Sequence, residues 1–239
     1  MGWRKIFLKK AEPLVSIIMP ARNSEKFIAK AIKSVLDQNY KNIELIVVDD
    51  ASTDNTYNLA KIFSESNPKI TLIRNRKKLG IPKSRNIALN CSRGKYVGHL
   101  DADDYLKQTA VKRTVKIAEK NKAALVYSNY IKIDENKKVT KKIRSPKFDS
   151  KRVPLIGWRH FGMYTKEAAL AVGGFNEKLI TCSDGDLFVK IAKQFTCQRI
   201  DRFLYYYRLH SNNVGLNRPH CSECKKNKDC AYYTEWRKI

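Results

Sequence analysis

An α/β fold with a mostly parallel central sheet flanked by helices is predicted by two features of the chain's first hundred residues. Short apolar runs alternate with segments whose hydrophobic residues recur at helical spacing, and three of the runs end in polar clusters. The first run, Leu14 to Met19, stops at Pro20 and reads as a buried strand. Asn23 and Ser24 then offer a helix cap, with Phe27, Ile28, Ala31, Ile32, Val35 and Leu36 following at helical spacing. Asn42 to Val48 is a second buried strand, closing on Asp49 and Asp50. Ser52, Thr53 and Asp54 open a helix carrying Leu59, Ile62 and Phe63, and Ile70 to Ile73 is a third strand. Ile81 and Pro82 start a third helix, at a position where proline's missing N–H costs nothing. Tyr96 to Leu100 is a fourth strand, running straight into Asp101, Ala102, Asp103 and Asp104.

Strands alternating with helices pair in parallel through right-handed crossovers. Such open sheets bind ligands beyond the carboxyl ends of their strands. The clusters Ala21 to Asn23, Asp49 with Asp50, and Asp101 to Asp104 are therefore expected in one cleft. The second half is less regular. Ala123 to Ser128 and Tyr130 to Ile133 read as strands, with a turn at Asp134 to Lys137. Lys166 to Val172 is a helix ending at Gly173 and Gly174, Asp184 to Phe195 is another, and Leu204 to Arg208 is a Tyr-rich strand. From Ser211 onward hydrophobic periodicity is lost, and a tail is expected.

The 239 residues carry 48 Lys and Arg against 23 Asp and Glu, a net charge of +25. Such a field favours anionic partners, although lysines spread along the chain also suit a merely solvated surface. No apolar run approaches the roughly 20 residues of a membrane span. The first ten residues have no long apolar stretch, so no secretory leader is expected. Trp3, Ile6 and Phe7 lie among Arg4, Lys5, Lys9 and Lys10, a pattern suited either to an anionic membrane surface or to a frayed terminus. Six cysteines without an export signal argue against a disulfide framework.

Asp101, Asp103 and Asp104 pack three carboxylates into four residues at a strand end. Left unpaired they repel one another, so they suit a hard divalent cation such as Mg2+ or Mn2+. A solvated, Asp-rich turn is the alternative reading of that short pattern.

The surrounding stretches decide between them by resemblance. Val15 to Asn23, Glu44 to Asp54, Gly80 with Ser84, Arg85 and Asn86, and Gly94 to Val97 leading into Leu100 to Asp104 resemble glycosyltransferase family 2, the large GT-A family. Gly173 to Glu177, Asp184 to Leu187 and Tyr207 to His210 follow in the family's order, so the likeness runs from about Val15 to His210. It implies a Rossmann-like GT-A fold and a metal-dependent, inverting transfer of a sugar from a nucleotide diphosphate. Residues 13–110 would form the nucleotide-sugar-binding half and 111–210 the smaller acceptor-binding half. Residues 1–12 would be a basic lead, and 211–239 a Cys-containing tail.

The resemblance also implies roles. Pro20, Ala21 and Asn23 would line the nucleotide, Asp50 would bind the base, and Arg85 would lie near the diphosphate. Asp101 would face the ribose or sugar, Asp103 would ligate Mn2+ or Mg2+, and His210 would complete the metal or diphosphate site. Asp184 stands at the general base position; Asp186 is the other candidate there, and a helix cap is the other role for Asp184. The chain departs from many relatives in placing Ser183, not Glu, before that Asp. The donor would be a UDP-, GDP- or dTDP-sugar, and the acceptor a saccharide, a lipid-linked molecule or a protein. A cytoplasmic location is expected, with peripheral contact at the inner face of an anionic membrane as an option.

Three further features stay open on sequence alone. Phe161 reads as core, whereas Trp158, beside His160 in the acceptor half, suits either core or a sugar-stacking face. Cys221 and Cys224 at CxxC spacing, with Cys230 and His220, fit a structural Zn2+ site or free thiols; Cys91, Cys182 and Cys197 read as half-buried thiols. The basic run of Lys137, Lys138, Lys141, Lys142, Arg144, Lys147, Lys151 and Arg152 motivates an alternative, a nucleic-acid-binding protein or DNA-modifying glycosyltransferase. No nucleic-acid-binding motif accompanies that run, so nucleic acid is not the expected partner.

Overall fold

The computed structural model describes residues 11–146, 161–179, 182–211 and 213. The first half holds β1 (Val15–Ala21), α1 (Ile28–Leu36), β2 (Ile43–Asp49), α2 (Thr56–Ser66), β3 (Ile70–Arg74), α3 (Ile81–Cys91) and β4 (Tyr96–His99). β1 and β2 are buried along their whole length. That is why they read as near-continuous apolar runs, interrupted by Ser16 and Glu44, and not as an alternating pattern. They pair in parallel from Val15 opposite Ile43 to Ala21 opposite Asp49, which sets the two following loops side by side. β4 pairs in parallel with β1, and β3 with β2.

The second half holds β5 (Tyr105–Leu106), α4 (Ala110–Asn121), β6 (Leu125–Ile133), β7 (Val139–Ile143), β8 (Gly162–Thr165), α5 (Lys166–Ala171), α6 (Ser183–Gln194) and β9 (Cys197–Arg208). The nine strands of the described residues form one sheet in the order β3-β2-β1-β4-β8-β6-β9-β5, with β7 paired to β6 off that path. Beyond β4 the pairing is mixed. β8 runs antiparallel to both β4 and β6, β9 runs parallel to β6, and β5 is antiparallel to β9. The sheet is therefore mixed, with most of its parallel pairing among β1 to β4.

Alternation along β1 divides the core into two layers. Ile17 and Met19 pack with Ile32 of α1 and Val111 of α4, while Ile18 packs with Leu89 of α3 and with Leu187 and Phe188 of α6. Burying each such side chain stabilises the fold by roughly 1.5–3 kcal/mol. Phe161, read as core, is fully buried. Its neighbour Gly162 is needed for the second layer, because a Cβ there would lie 2.1 Å from Cζ of Phe188. Among the described residues no helix is long and apolar enough to cross a membrane.

Asn23 and Ser24 do not cap α1. The helix starts at Ile28 behind Phe27, with no side-chain cap. Instead Asn23 Oδ1 accepts from the Thr53 N–H at 2.9 Å, and the Ser24 N–H donates to Thr56 Oγ1 at 2.7 Å. Parallel pairing of β1 with β2 brings the two polar loops together, and their side chains satisfy each other. Of the three cysteines among the described residues, Cys182 is half-buried, Cys197 is buried and Cys91 is exposed.

Candidate active site

The candidate site gathers at the carboxyl ends of the parallel strands, in the loops that follow them. After β1, Arg22 Nη1 donates to the carbonyls of Asp50 and Ala51 at 2.5 and 2.7 Å, tying the first loop to the second. Both loops make sharp turns, with Asn23 and Ala51 in the left-handed region at φ of 47° and 53°. Asp50 is buried and already engaged. Its Oδ1 accepts from the Leu79 N–H at 2.7 Å and from Asn75 Nδ2 at 2.9 Å, and its Oδ2 from the Gly80 N–H at 2.8 Å. The carboxylate thus clamps the loop that leads into α3, where Gly80 takes φ 94° and Pro82 sits in the first turn.

From α3 the buried Arg85 reaches two elements at once. Nη2 donates to Asp101 Oδ1 at 2.7 Å, Nη1 donates to Ser183 Oγ at 3.2 Å, and the guanidinium lies 5.5 Å from the Phe175 ring centroid. One planar cation therefore joins the end of β4 to the N-terminus of α6, which carries Asp184. Asp101 stays one-third open, its side chain 34% exposed.

Asp103 and Asp104, adjacent in sequence, face opposite environments. Asp103 Oδ2 lies 2.9 Å from His210 Nε2 and accepts from Asn213 Nδ2 at 3.3 Å. Asp104 is buried, accepting from the Tyr205 hydroxyl at 2.6 Å and the Arg208 N–H at 2.7 Å. Burial, with the charges of Asp103 and Asp101, pushes the Asp104 carboxyl well up from the ordinary range. Arg208 Nε donates to the Asp103 carbonyl at 2.9 Å, and its guanidinium lies 4.9 Å from the Phe27 ring, against which His210 also packs. β9 and the residues after it therefore hold the acidic cluster from behind.

A model of glycosyl transferase family 2 matches residues 16–177. The chain belongs to this family. Chondroitin synthase from Escherichia coli is 30% identical over 212 residues, 87% of this chain and 31% of that protein. The UDP-Glc:alpha-D-GlcNAc-diphosphoundecaprenol beta-1,3-glucosyltransferase WfaP from Escherichia coli is 31% identical over 213 residues, covering 86% of this chain and 81% of the relative. The chain spans about a third or less of the length of the chondroitin and hyaluronan synthases it matches. Among solved structures, S. aureus TarS in complex with UDP superposes with a TM-score of 0.72 at 20% identity, covering 82% of this chain and 60% of that one. A mannosyltransferase from Pyrobaculum calidifontis in complex with GDP-Man and Mn2+ gives 0.70 at 18% identity, covering 95% and 69%. The fold is that of the GT-A glycosyltransferases.

Within this family-2 frame, the structure joins several predicted site residues directly: Asp103 with His210, and Arg85 with Asp101. Pro20 and Ala21 end β1, and Asn23 and Asp50 shape the adjoining loops. Asp184 lies in the first turn of α6, half-buried, and is not its cap; Cys182 holds that position at φ 60°. Asp186, the other candidate, is fully buried and paired with Lys190 at 2.7 Å. The Ser183 that departs from the family pattern accepts from Arg85. Among the described residues no group of three or more His, Cys, Asp or Glu is placed to hold a metal ion. Were a divalent ion bound here, Asp103 and His210 would hold it, and phosphate and water would supply further ligands. Trp158, His160, the lead with Trp3 to Lys10, and His220, Cys221, Cys224 and Cys230 lie outside the described residues.

Four contributors escaped the sequence reading. Asn75, at the end of β3, donates to both Asp50 and Ser84, and the rule placing ligands at strand ends applies to it equally. Asn213 closes over His210 and Asp103. Tyr205 reaches Asp104 from a strand read only as Tyr-rich. His99 had no sequence signal, since only tertiary packing shows that it is buried.

Burial and then the Arg85 charge push His99 down to about 4 from 6.5, against the opposing pull of Asp184 and Asp101. Between those values the unfolded chain binds the extra proton. Stability is therefore fully present above about pH 6.5 and falls by roughly 3 kcal/mol as pH drops through the folded value. Denaturant titrations at pH 7 and in mild acid should show a smaller acid loss for His99→Gln than for wild type. Equal losses in the two proteins would contradict this origin.

Proposed function

We propose that the protein transfers a sugar from a nucleotide-diphosphate donor, with inversion, to a saccharide acceptor, free or lipid-linked. The observation that carries this reading is the Arg85 bridge, which fixes Asp101 on the donor side against Ser183, next to Asp184. Pro20, Ala21 and Asn23 line the nucleotide. Asp50 has used three of a carboxylate's four acceptor positions on the loop before α3, which leaves one for a base N–H. Asp103 and His210 hold Mn2+ or Mg2+, and the ion, when bound, supplies Lewis-acid stabilisation to the leaving diphosphate. Arg85 adds a fixed positive charge near the same developing negative charge.

Asp184 is the base. It takes the proton of the acceptor hydroxyl as that oxygen bonds to the anomeric carbon, while the electron pair of the breaking bond leaves with the diphosphate. Asp186 is poorly suited to this role because its carboxylate is buried and already paired with Lys190. The acceptor reading follows the named relatives, among them polysaccharide synthases and a diphosphoundecaprenol glucosyltransferase. The cation-rich β6–β7 hairpin, where Lys132 lies opposite Lys141, suits an anionic acceptor or an anionic membrane surface better than it suits isolation. Family membership does not favour the nucleic-acid alternative.

The test is a donor screen. Purified protein is incubated with UDP-, GDP-, dTDP- and CMP-sugars and Mn2+, and nucleotide release is followed with and without chelator. Slow, chelator-sensitive hydrolysis of one donor class is the expected result. Absence of hydrolysis across the panel, with no metal-dependent nucleotide binding by calorimetry, would refute the reading.

A further inference from the structure

Beneath the Asp101 end of β4 lies a group of buried polar atoms that the proposed reaction does not use. Both ring nitrogens of His99, Nε of Arg85 and the hydroxyl of Tyr164 are buried without a hydrogen-bond partner. They belong to one place. Val97 of β4 pairs across the sheet with Tyr164 of β8, so His99, two residues further along, shares that face. The His99 and Tyr164 rings both pack on Phe188, with centroids 5.4 and 6.1 Å away. Tyr164 and the Arg85 guanidinium both pack on Phe175, at 6.5 and 5.5 Å. Two aromatic walls thus enclose polar atoms from β4, β8 and α3.

A buried polar group left unpaired is costly, and four such atoms in one place are the setting in which proteins keep an internal water. A water needs two to four partners, and here it finds all the kinds it can use. Arg85 Nε only donates, the Tyr164 hydroxyl does both, and a neutral imidazole offers one donor and one acceptor. Burial and the nearby guanidinium keep His99 neutral near pH 7. Phe or Leu would fill the same space without leaving ring nitrogens unpaired, so packing alone does not account for a histidine here.

We propose that His99 is a positioning residue for the transfer reaction, acting on Arg85 through a water held between His99, Tyr164 and Arg85 Nε. The guanidinium is planar, so fixing Nε from below fixes the directions of Nη2 toward Asp101 and of Nη1 toward Ser183. His99 thereby sets the donor-side carboxylate and the helix that carries Asp184 in one frame. The inference rests on the sugar-transfer reading above for its kinetic consequence, and on the buried atoms alone for the water.

The experiment compares wild type with His99→Phe and His99→Gln in turnover of the donor selected by the screen, alongside melting temperature and a high-resolution crystal structure. His99→Phe is expected to lower kcat roughly 10- to 100-fold, as loss of outer-shell support does elsewhere, with little change in KM for the donor. Its melting temperature should hold or rise, because an apolar ring replaces unpaired nitrogens. His99→Gln, which keeps a donor and an acceptor, should recover most of the lost rate. A purely structural histidine predicts wild-type kcat in His99→Phe, and that result overturns the proposal. So does equal loss of rate in both variants accompanied by a lower melting temperature. In the wild-type crystal, ordered density within hydrogen-bond reach of His99, Arg85 Nε and Tyr164 Oη is expected, and a dry pocket overturns the water. A wild-type protein that turns over no nucleotide sugar would count against the proposed function, while the crystal would still decide the pocket.

Discussion

Asp103→Ala is expected to lose metal-dependent nucleotide binding and at least about 100-fold of turnover, with its fold intact. The expectation follows from where the side chain points. Asp103 Oδ2 faces His210 Nε2 at 2.9 Å in the open part of the acidic cluster. Removing it leaves His210 Nε2 within 3.0 Å of Asn213 Nδ2, so no buried charge is stranded. The stability cost should stay near the 1 kcal/mol scale of a single hydrogen bond. The neighbouring Asp104→Ala should behave in the opposite way. That carboxyl is buried and holds the Tyr205 hydroxyl and the Arg208 N–H, so its loss acts first on stability. Titration calorimetry with UDP and GDP, with and without Mn2+, separates binding from folding. Metal-dependent affinity in Asp103→Ala equal to that of wild type would remove Asp103 from the proposed metal site.

The contrast between these two aspartates shows where sequence reading stopped. The acidic cluster was legible because three carboxylates follow a buried apolar run. Which of them faces the cleft was not, since that depends on how β9 returns behind the cluster. The parallel half was legible for a similar reason: β1 and β2 are buried on both faces, and near-continuous apolar runs announce that. β8 has only four residues and β5 two, too few for any periodicity. α4 hides its buried Ala110, Val111, Thr114, Val115 and Ala118 among lysines and small side chains. β6 read as two strands, Ala123 to Ser128 and Tyr130 to Ile133, because Asn129 after Ser128 looks like a break. These two residues mark an irregularity within one strand, where the register with β9 shifts and the buried Asn129 bonds to Asp201 and to the Ser145 N–H. Arg85 was expected near the diphosphate, but its hold on both Asp101 and Ser183 is a contact between residues far apart in sequence, which no local pattern encodes.

Asp184→Asn is expected to lower transfer by about 10²–10⁴-fold while leaving donor affinity and melting temperature close to wild type. Asn preserves the size of the side chain and one acceptor oxygen but takes up no proton. The proposed nucleotide pocket draws on β1, β2 and the loop clamped by Asp50, none of which the substitution touches. Stability should change little as well. Asp184 is not the cap of α6 and the helix start is set by Cys182, so the substitution removes only a favourable charge near the helix N-terminus, worth roughly 0.3–1 kcal/mol. Asp186→Asn gives the control. Its carboxylate is buried against Lys190, so losing that charge strands a cation and should act on the melting temperature before it acts on rate. Steady-state transfer, donor titration and thermal melts on the two variants decide between the carboxylates. An Asp184→Asn enzyme with near-normal turnover, beside a stable but inactive Asp186→Asn, would move the base two residues into the helix.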